Sequence, residues 1–123
     1  MFNEKFKQVI NDEGVVSIVT FNDKEAHVSN TWNSYLTLVD ENTILIPAAG
    51  MIKTEKNILI NPQVKLTLGS KNVEGHIGMG TGFYLEGTGS FLREGEKYNM
   101  MKEKFPFLTR VLVIEVSLVK QTL

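Results

Sequence analysis

Alternating hydrophobic and polar residues along the chain predict a protein built mainly of β-strands. β-Branched and aromatic residues run through 15–21, and Asn22-Asp23 supplies turn chemistry before a return strand at 26–32. Further strands are predicted at 35–39, 43–46, 64–68, 83–92 and 110–119. Because short turns join most of these segments, antiparallel pairing is favoured over βαβ crossovers.

Three short segments change to the spacing of an amphipathic helix. Residues 3–12 carry apolar positions three and four apart, and Gly14 follows where a helix commonly ends. Residues 52–60 are followed by Asn61-Pro62, and proline cannot continue a helix. The third segment is 94–105. A small closed or half-closed barrel with helices at its ends suits this set, because closure protects the edge strands.

Glycine is concentrated in the second half of the chain. Residues 69–82 hold five glycines and are predicted to form a long flexible loop. This segment lacks GxxxxGK[ST] and follows no strand-to-helix unit, so a phosphate-binding loop is disfavoured. Gly87 and Gly89 interrupt a predicted strand and indicate a bulge or bend.

Composition narrows the functional classes. The 123 residues, 42% of them hydrophobic, suit a single domain with one modest core. A net charge of -1 leaves no basic footprint for nucleic acid or an anionic membrane. The absence of cysteine excludes disulfides and thiolate chemistry, and neither His27 nor His76 lies in a metal-ligand motif. No signal-like or membrane-spanning segment is recognised, so we expect a cytoplasmic protein.

Two stretches carry candidate chemistry. Residues 29–35 are polar and aromatic where a core strand would be aliphatic, and they contain Trp32, the only tryptophan. They suit either a ligand with an aromatic ring or an edge strand capped by a half-buried indole. Residues 50–54 open the helix at 52–60, and Lys53 adds a charge to a helix start that favours anions. The alternative for residues 50–54 is an ordinary first turn of a helix with a solvated lysine. Taken together, the two stretches suggest a ligand that has a phosphate at one end and an aromatic ring at the other.

The run 53–64, KTEKNILINPQV, resembles the signature of the flavin-binding split-barrel superfamily, which includes the pyridoxamine 5′-phosphate oxidases. Within that superfamily, the chain is similar to the small FMN-binding proteins of sulfate-reducing bacteria. The similar blocks are 13–16, 30–36, 53–55, 66–70, 80–83 and 121–123. They span almost the full length of the sequence.

The resemblance implies a mainly β fold, a six-stranded antiparallel split β-barrel of Greek-key type with two or three short flanking helices. Residues 1–123 would form one FMN-binding domain, and a homodimer would hold one FMN per subunit near its interface. The residues expected at the cofactor are Glu13, Asn30, Thr31, Trp32, Asn33, Tyr35, Pro47, Ala48, Ala49, Gly50, Lys53, Thr54, Phe107 and Leu123.

The resemblance also implies roles within this set. Lys53 and Thr54 would hold the phosphate with help from Asn30 and Thr31. Trp32, Tyr35 beside it and the backbone of 47–50 would surround the isoalloxazine ring. Glu13 and Leu123 would approach the flavin from the partner subunit.

Two departures from the family pattern affect the ring site. Phe107, behind Pro106, stands where the sulfate-reducer proteins carry tryptophan, which changes one aromatic wall. Ala49-Gly50 replaces a pair of glycines. Because alanine adds a methyl group and restricts φ, we expect a looser contact with the ring at position 49.

Flavin binding would not define the reaction, because the cofactor carries the redox chemistry. The leading hypothesis is an FMN-dependent electron carrier or flavin reductase-like oxidoreductase with an unidentified redox partner and unidentified catalytic residues. A non-catalytic flavin-storage or interaction module is the alternative. Pyridoxamine 5′-phosphate oxidase activity is disfavoured because it goes with longer chains bearing an Arg/His-containing C-terminal segment, whereas this sequence ends at Leu123.

Overall fold

A computed structural model describes residues 1–123, which form seven strands and three α-helices. The elements are α1 (Glu4–Ile10), β1 (Val15–Phe21), β2 (Ala26–Trp32), β3 (Thr37–Val39), β4 (Thr43–Ala48), α2 (Ile52–Ile60), β5 (Gln63–Glu74), β6 (Met79–Leu92), α3 (Glu96–Lys104) and β7 (Arg110–Gln121). A single 3-10 turn, Asn33–Tyr35, connects β2 to β3. The mainly β prediction is confirmed, with seven strands rather than the six that the resemblance implies.

The strands form one antiparallel sheet in the order β2-β1-β5-β6-β7-β4-β3. Strands lie about 4.8 Å apart, so the two edge strands of a flat seven-stranded sheet would be about 29 Å apart. Residues 33–36 connect these same two edges, and such a short link spans at most about 18 Å. The sheet must therefore curl so that β2 and β3 approach each other, leaving a split between them.

The prediction of a loop over 69–82 is wrong. β5 and β6 pair from Gln63–Thr88 to Glu74–Met79, and only residues 75–78 lie outside the two strands. Gly69 lies opposite Gly82 in this ladder, and a Cβ at Gly69 would lie 2.8 Å from the Thr81 carbonyl oxygen. The glycines here permit close approach of two strands instead of loop flexibility.

The bend predicted at Gly87 and Gly89 is confirmed at Gly87, whereas Gly89 lies opposite Ile114 in the regular ladder. The register between β6 and β7 shifts between Glu86 and Gly87. A Cβ at Gly87 would lie 2.4 Å from the Glu115 carbonyl oxygen, so only glycine fits this irregularity without a shift. Such bulges increase the local twist that a curled sheet requires.

The main core fills the inside of the curled sheet. Phe6 and Val9 of α1 are fully buried there, and Phe6 packs edge-on against Phe83 at a centroid distance of 5.3 Å. Ile58 of α2 joins the same core from another end. A smaller cluster lies under α3 and contains Leu45, Met101, Leu108, Val111 and Val113. Through Ile58, the main core holds α2 against the sheet, and the start of this helix forms part of the candidate site.

A polar cluster attaches the end of α1 to β5. The Asp12 carboxylate accepts hydrogen bonds from the Ser70 hydroxyl and from the Asn72 side-chain amide. The bond from Ser70, supported by that from Asn72, lowers the pKa of Asp12 below its ordinary value. The ionised form of Asp12 is therefore the one that the folded chain stabilises.

Each of the helices is too short, at nine residues or fewer, to be a candidate for crossing a membrane.

Candidate functional site

The start of α2 lies beside the edge strand β2. The hydroxyl oxygens of Ser29 and Thr54 are 3.2 Å apart, and Lys53 Nζ lies 3.0 Å from Glu25 Oε1. We call the surface formed by residues 29–32 of β2 and residues 50–54 at the start of α2 the β2–α2 seam. The structure thus places residues 29–35 and 50–54, the two stretches predicted to bind a ligand, next to each other.

The start of α2 presents backbone N–H groups that have no acceptor within the chain. Met51 caps the helix in a left-handed conformation, with φ 61°, and offers no side-chain cap. The N–H groups of Gly50, Met51, Lys53 and Thr54 make no hydrogen bond, whereas Glu55 N–H donates to the Met51 carbonyl at 2.9 Å. Unpaired N–H groups at a helix start carry partial positive charge and favour an anion.

The free edge of β2 adds further backbone donors. Asn33 N–H donates to the Gly14 carbonyl at 2.9 Å, which marks these two residues as a hydrogen-bonded pair. Because such pairs alternate along an antiparallel ladder, the N–H groups of Trp32 and Asn30 point away from β1, toward the split in the sheet. The seam therefore has donors on both of its sides.

Side chains on β2 alternate between two faces. Ser29 and Thr31 face the core side, where Ser29 meets Thr54, while Asn30 and Trp32 face outward. Trp32 pairs with Val15 and remains 45% exposed. The structure therefore places the indole on the face of β2 opposite the Ser29–Thr54 contact, so one ligand can contact both Trp32 and this side of α2 only by passing over the strand edge.

Residues 48–50, which lead into α2, accept hydrogen bonds from Thr109 and Arg110, two residues that the sequence analysis did not identify. Thr109 donates to the Ala48 carbonyl through its N–H, at 2.9 Å, and through its hydroxyl, at 3.3 Å. Arg110 donates to the carbonyls of Ala49, at 3.2 Å, and Gly50, at 2.7 Å. Ala49 does not take the positive φ that its methyl group would disfavour; Met51 takes the left-handed conformation instead.

A carboxylate inside α2 connects this network to the helix. Glu55 Oε1 accepts from Arg110 Nε at 2.9 Å, and Glu55 Oε2 accepts from Arg93 at 2.6 Å. Burial opposes ionisation of Glu55, but the hydrogen bonds from Arg93 and Arg110 outweigh it and lower the pKa of Glu55. The sequence signal available for the contact between Arg110 and Glu55 was the position of a charged residue at the start of the largely apolar strand segment 110–116.

Pro47 and Ala48 belong to β4 and are little exposed, so they can meet a ligand chiefly through the backbone at the strand end. The side chain of Asn33 turns away from the seam and is fully buried. Its amide nitrogen lies within hydrogen-bond distance of the carbonyls of Val9, Asp12 and Gly69, and its Oδ1 has no partner.

Glu13 lies at the entrance of β1, beside the 3-10 turn. Its carboxylate accepts from the hydroxyl of Ser34 at 2.8 Å and from the Ser34 N–H at 3.2 Å. These two bonds lower the pKa of Glu13. The carboxylate is thus held in its charged form near the end of β2, outside the seam.

Tyr35 and Phe107 meet in an aromatic cluster with Phe105. The ring centroid of Tyr35 lies 5.2 Å from that of Phe105 and 5.5 Å from that of Phe107, which is half exposed. Phe107 lies two residues before Thr109, whose contacts with Ala48 were described above. The cluster therefore flanks the segment that leads into α2.

Leu123 lies at the β5–β6 hairpin, where its carbonyl accepts from the Thr81 hydroxyl at 2.8 Å. The Gln121 side-chain amide also donates to this carbonyl at 2.9 Å. These hydrogen-bond partners of Leu123 lie outside the seam of its own chain.

The seam is a surface rather than a cavity in the single chain. The clefts lie elsewhere: near the N-terminus and the turn after β3, beside β7, along the β5–β6 hairpin, and between α2 and β6. No three His, Asp or Glu side chains are grouped to hold a metal ion. The N–H groups at the start of α2 suit an anion such as a phosphate, and those along the edge of β2 suit the polar edge of a ring. A phosphorylated heterocycle combines these two features.

Proteins of known structure share this chain's fold. The HupZ protein of Group A Streptococcus superposes with a TM-score of 0.82 at 18% identity, covering 98% of this chain and 94% of that one. An FMN-binding protein from Syntrophomonas wolfei superposes with a TM-score of 0.78 at 19% identity, covering 98% and 85%. At these identities the likeness shows the fold.

Sequence similarity is more specific. An FMN-binding protein of Nitratidesulfovibrio vulgaris is 42% identical over 118 residues, which cover 96% of each chain. The family model described as pyridoxamine 5′-phosphate oxidase matches residues 2–123. The chain therefore belongs to the pyridoxamine 5′-phosphate oxidase family.

Proposed function

We propose that residues 1–123 form an FMN-binding domain and that FMN binds along the β2–α2 seam. The observation that carries this proposal is the set of unpaired N–H groups between Gly50 and Thr54, flanked by the Lys53 ammonium. The N. vulgaris relative supports the identity of the ligand, since it is named an FMN-binding protein.

The phosphate end of FMN fits the start of α2. A phosphate monoester carries nearly two negative charges near neutral pH, which the helix start and Lys53 offset together. Thr54 is fully buried against Ser29, so it contributes chiefly its N–H, while the half-exposed Lys53 side chain can exchange Glu25 for the phosphate. Asn30 and Thr31 would complete this end from the edge of β2.

The ring end of FMN would extend toward the end of β2. Here the half-exposed Trp32, the backbone of 47–50 and the cluster of Tyr35 and Phe107 supply aromatic surface and polar backbone groups. Asn33 would act indirectly, because its buried amide holds the carbonyls that surround the end of β2.

We also propose that the protein is a homodimer. The outer face of the β1–β2 hairpin exposes Val15, Val28 and Trp32, and the seam alone does not enclose a ligand. A second subunit on this face would bury the apolar side chains and cover a bound ring. Glu13 and Leu123, which lie outside the seam of their own chain, would then reach the flavin of the partner subunit.

The activity we propose is redox: electron transfer or flavin reductase-like oxidoreductase activity in the cytoplasm. When bound, FMN supplies one- and two-electron redox chemistry, and the protein positions it and tunes its electronics. The near-neutral net charge of -1 does not select the electron donor or acceptor.

The decisive experiment begins with the purified protein and its absorbance near about 450 nm, where a flavin cofactor absorbs. Titration of flavin-free protein with FMN should saturate at one FMN per chain. Protein that stays colourless and ignores micromolar FMN would overturn the proposal.

A second measurement separates the redox roles. Rapid reduction of the bound flavin by NAD(P)H in a stopped-flow instrument would support the reductase-like role. A defined midpoint potential with fast electron exchange but no NAD(P)H reaction would support a carrier. Absence of both would favour flavin storage, and oxidation of pyridoxamine 5′-phosphate would instead indicate the oxidase.

A further inference from the structure

Arg110 is the most heavily engaged charged side chain near the seam. It is 8% exposed, and its guanidinium donates to Glu55 Oε1, the Thr109 hydroxyl, and the carbonyls of Ala49 and Gly50. It also lies over the ring of Phe91, 5.3 Å from the centroid. A planar fork of donors is needed to reach all of these acceptors at once.

These bonds determine which way two peptide groups face. In a trans peptide the carbonyl and the N–H of the next residue point in opposite directions. Because Arg110 draws the carbonyls of Ala49 and Gly50 to its own side, the N–H groups of Gly50 and Met51 point away from it. Neither of these N–H groups has an acceptor in the chain.

The same bonds remove competing acceptors from the helix start. In a regular helix, Lys53 and Thr54 N–H would donate to the carbonyls four residues earlier, those of Ala49 and Gly50. Both carbonyls accept from Arg110 instead, and the left-handed Met51 breaks the helical path between them. The first N–H groups of any helix lack acceptors within it, and Arg110 keeps these two nearby carbonyls from accepting from them.

We propose that Arg110 is a positioning residue of the flavin site: by holding the Ala49 and Gly50 carbonyls, it aims the N–H groups of Gly50 and Met51 at the flavin ring and thereby sets its reduction potential. This inference rests on the FMN-binding function proposed above. Glu55 holds the guanidinium in place from α2, whereas Arg93 binds only the other oxygen of Glu55 and is largely exposed.

Three variants test this role in the FMN-loaded protein. Arg110→Met keeps much of the side-chain volume but loses every donor. We expect FMN affinity to fall about tenfold, because the Gly50 and Met51 N–H groups are no longer held toward the ligand and their hydrogen bonds to it weaken. Arg110→Lys keeps the charge but not the fork, so the midpoint potential and the visible spectrum should still shift. Arg93→Met removes the other contact of Glu55 without touching the carbonyls, and it should bind FMN like the wild type.

The outcomes separate the two proposals. A wild type that does not bind FMN overturns the proposed function. If the wild type binds but Arg110→Lys keeps its potential and spectrum, or if Arg93→Met shifts them equally, Arg110 has only a structural role and this inference fails. Amide NMR of the wild type gives a test independent of variant folding: the Gly50 and Met51 N–H resonances should move on FMN binding, and unmoved resonances would overturn the inference.

Discussion

The Lys53→Ala substitution tests the phosphate end of the proposed site. In the free protein Lys53 Nζ pairs with Glu25 at 3.0 Å, and both side chains are at least half exposed. An exposed pair of this kind stabilises little, so Lys53 can transfer to a phosphate at small cost. Loss of the charge-assisted hydrogen bond should weaken FMN binding by roughly 1 to 3 kcal/mol, because the backbone N–H groups of the helix start remain.

The assay is a fluorescence titration of FMN with flavin-free protein. At 1.4 kcal/mol per factor of ten, we expect the dissociation constant to rise about 5- to 150-fold. Lys56→Ala is the matched control, since Lys56 is exposed on the same helix and makes no salt bridge. Riboflavin, which lacks the phosphate, should bind Lys53→Ala and wild type alike. Equal FMN affinity of Lys53→Ala and wild type would refute the assignment of Lys53.

Other parts of the site and fold give three further predictions. Trp32→Ala should lengthen the fluorescence lifetime of bound FMN, because the indole no longer quenches it; an unchanged lifetime would contradict the position of Trp32 at the ring. Glu25→Gln should tighten FMN binding a few-fold at low salt, since a carboxylate that competes with phosphate is gone, and weaker binding would show that Glu25 instead orients Lys53. Urea unfolding should show that the free energy of unfolding falls as the pH drops below about 4. Carboxyls whose pKa is lowered in the folded state, such as Asp12 and Glu55, take up protons more readily in the unfolded chain, so added protons favour unfolding. Equal stability at pH 7 and pH 3 would contradict this.

Local chemistry explains why most elements were predictable. The segment 52–60 forms α2 with those bounds, since Asn61-Pro62 ends the helix and the left-handed Met51 precedes it. The β1–β2 hairpin follows from β-branched residues on either side of Asn22-Asp23. These signals lie within a few residues of the structure they determine.

The errors arise where distant parts of the chain meet. The glycines of 69–82 indicated a loop because their role, close approach between β5 and β6, is visible only once the strands are paired. Arg110 was missed because the carbonyl it holds at Ala49 lies 61 residues earlier in the sequence. The alternation along β2 also puts Trp32 on the face opposite Ser29, which contacts Thr54 of α2, and the sequence stretch alone did not indicate this.

A crystal structure of the protein with FMN tests most directly whether FMN binds along the β2–α2 seam. We expect phosphate oxygens within hydrogen-bond distance of the backbone nitrogens of Lys53 and Thr54, with the ring passing over the edge of β2 toward Trp32. A flavin bound elsewhere, for example along the β5–β6 hairpin, with the start of α2 making no contact to it, would contradict the proposed site.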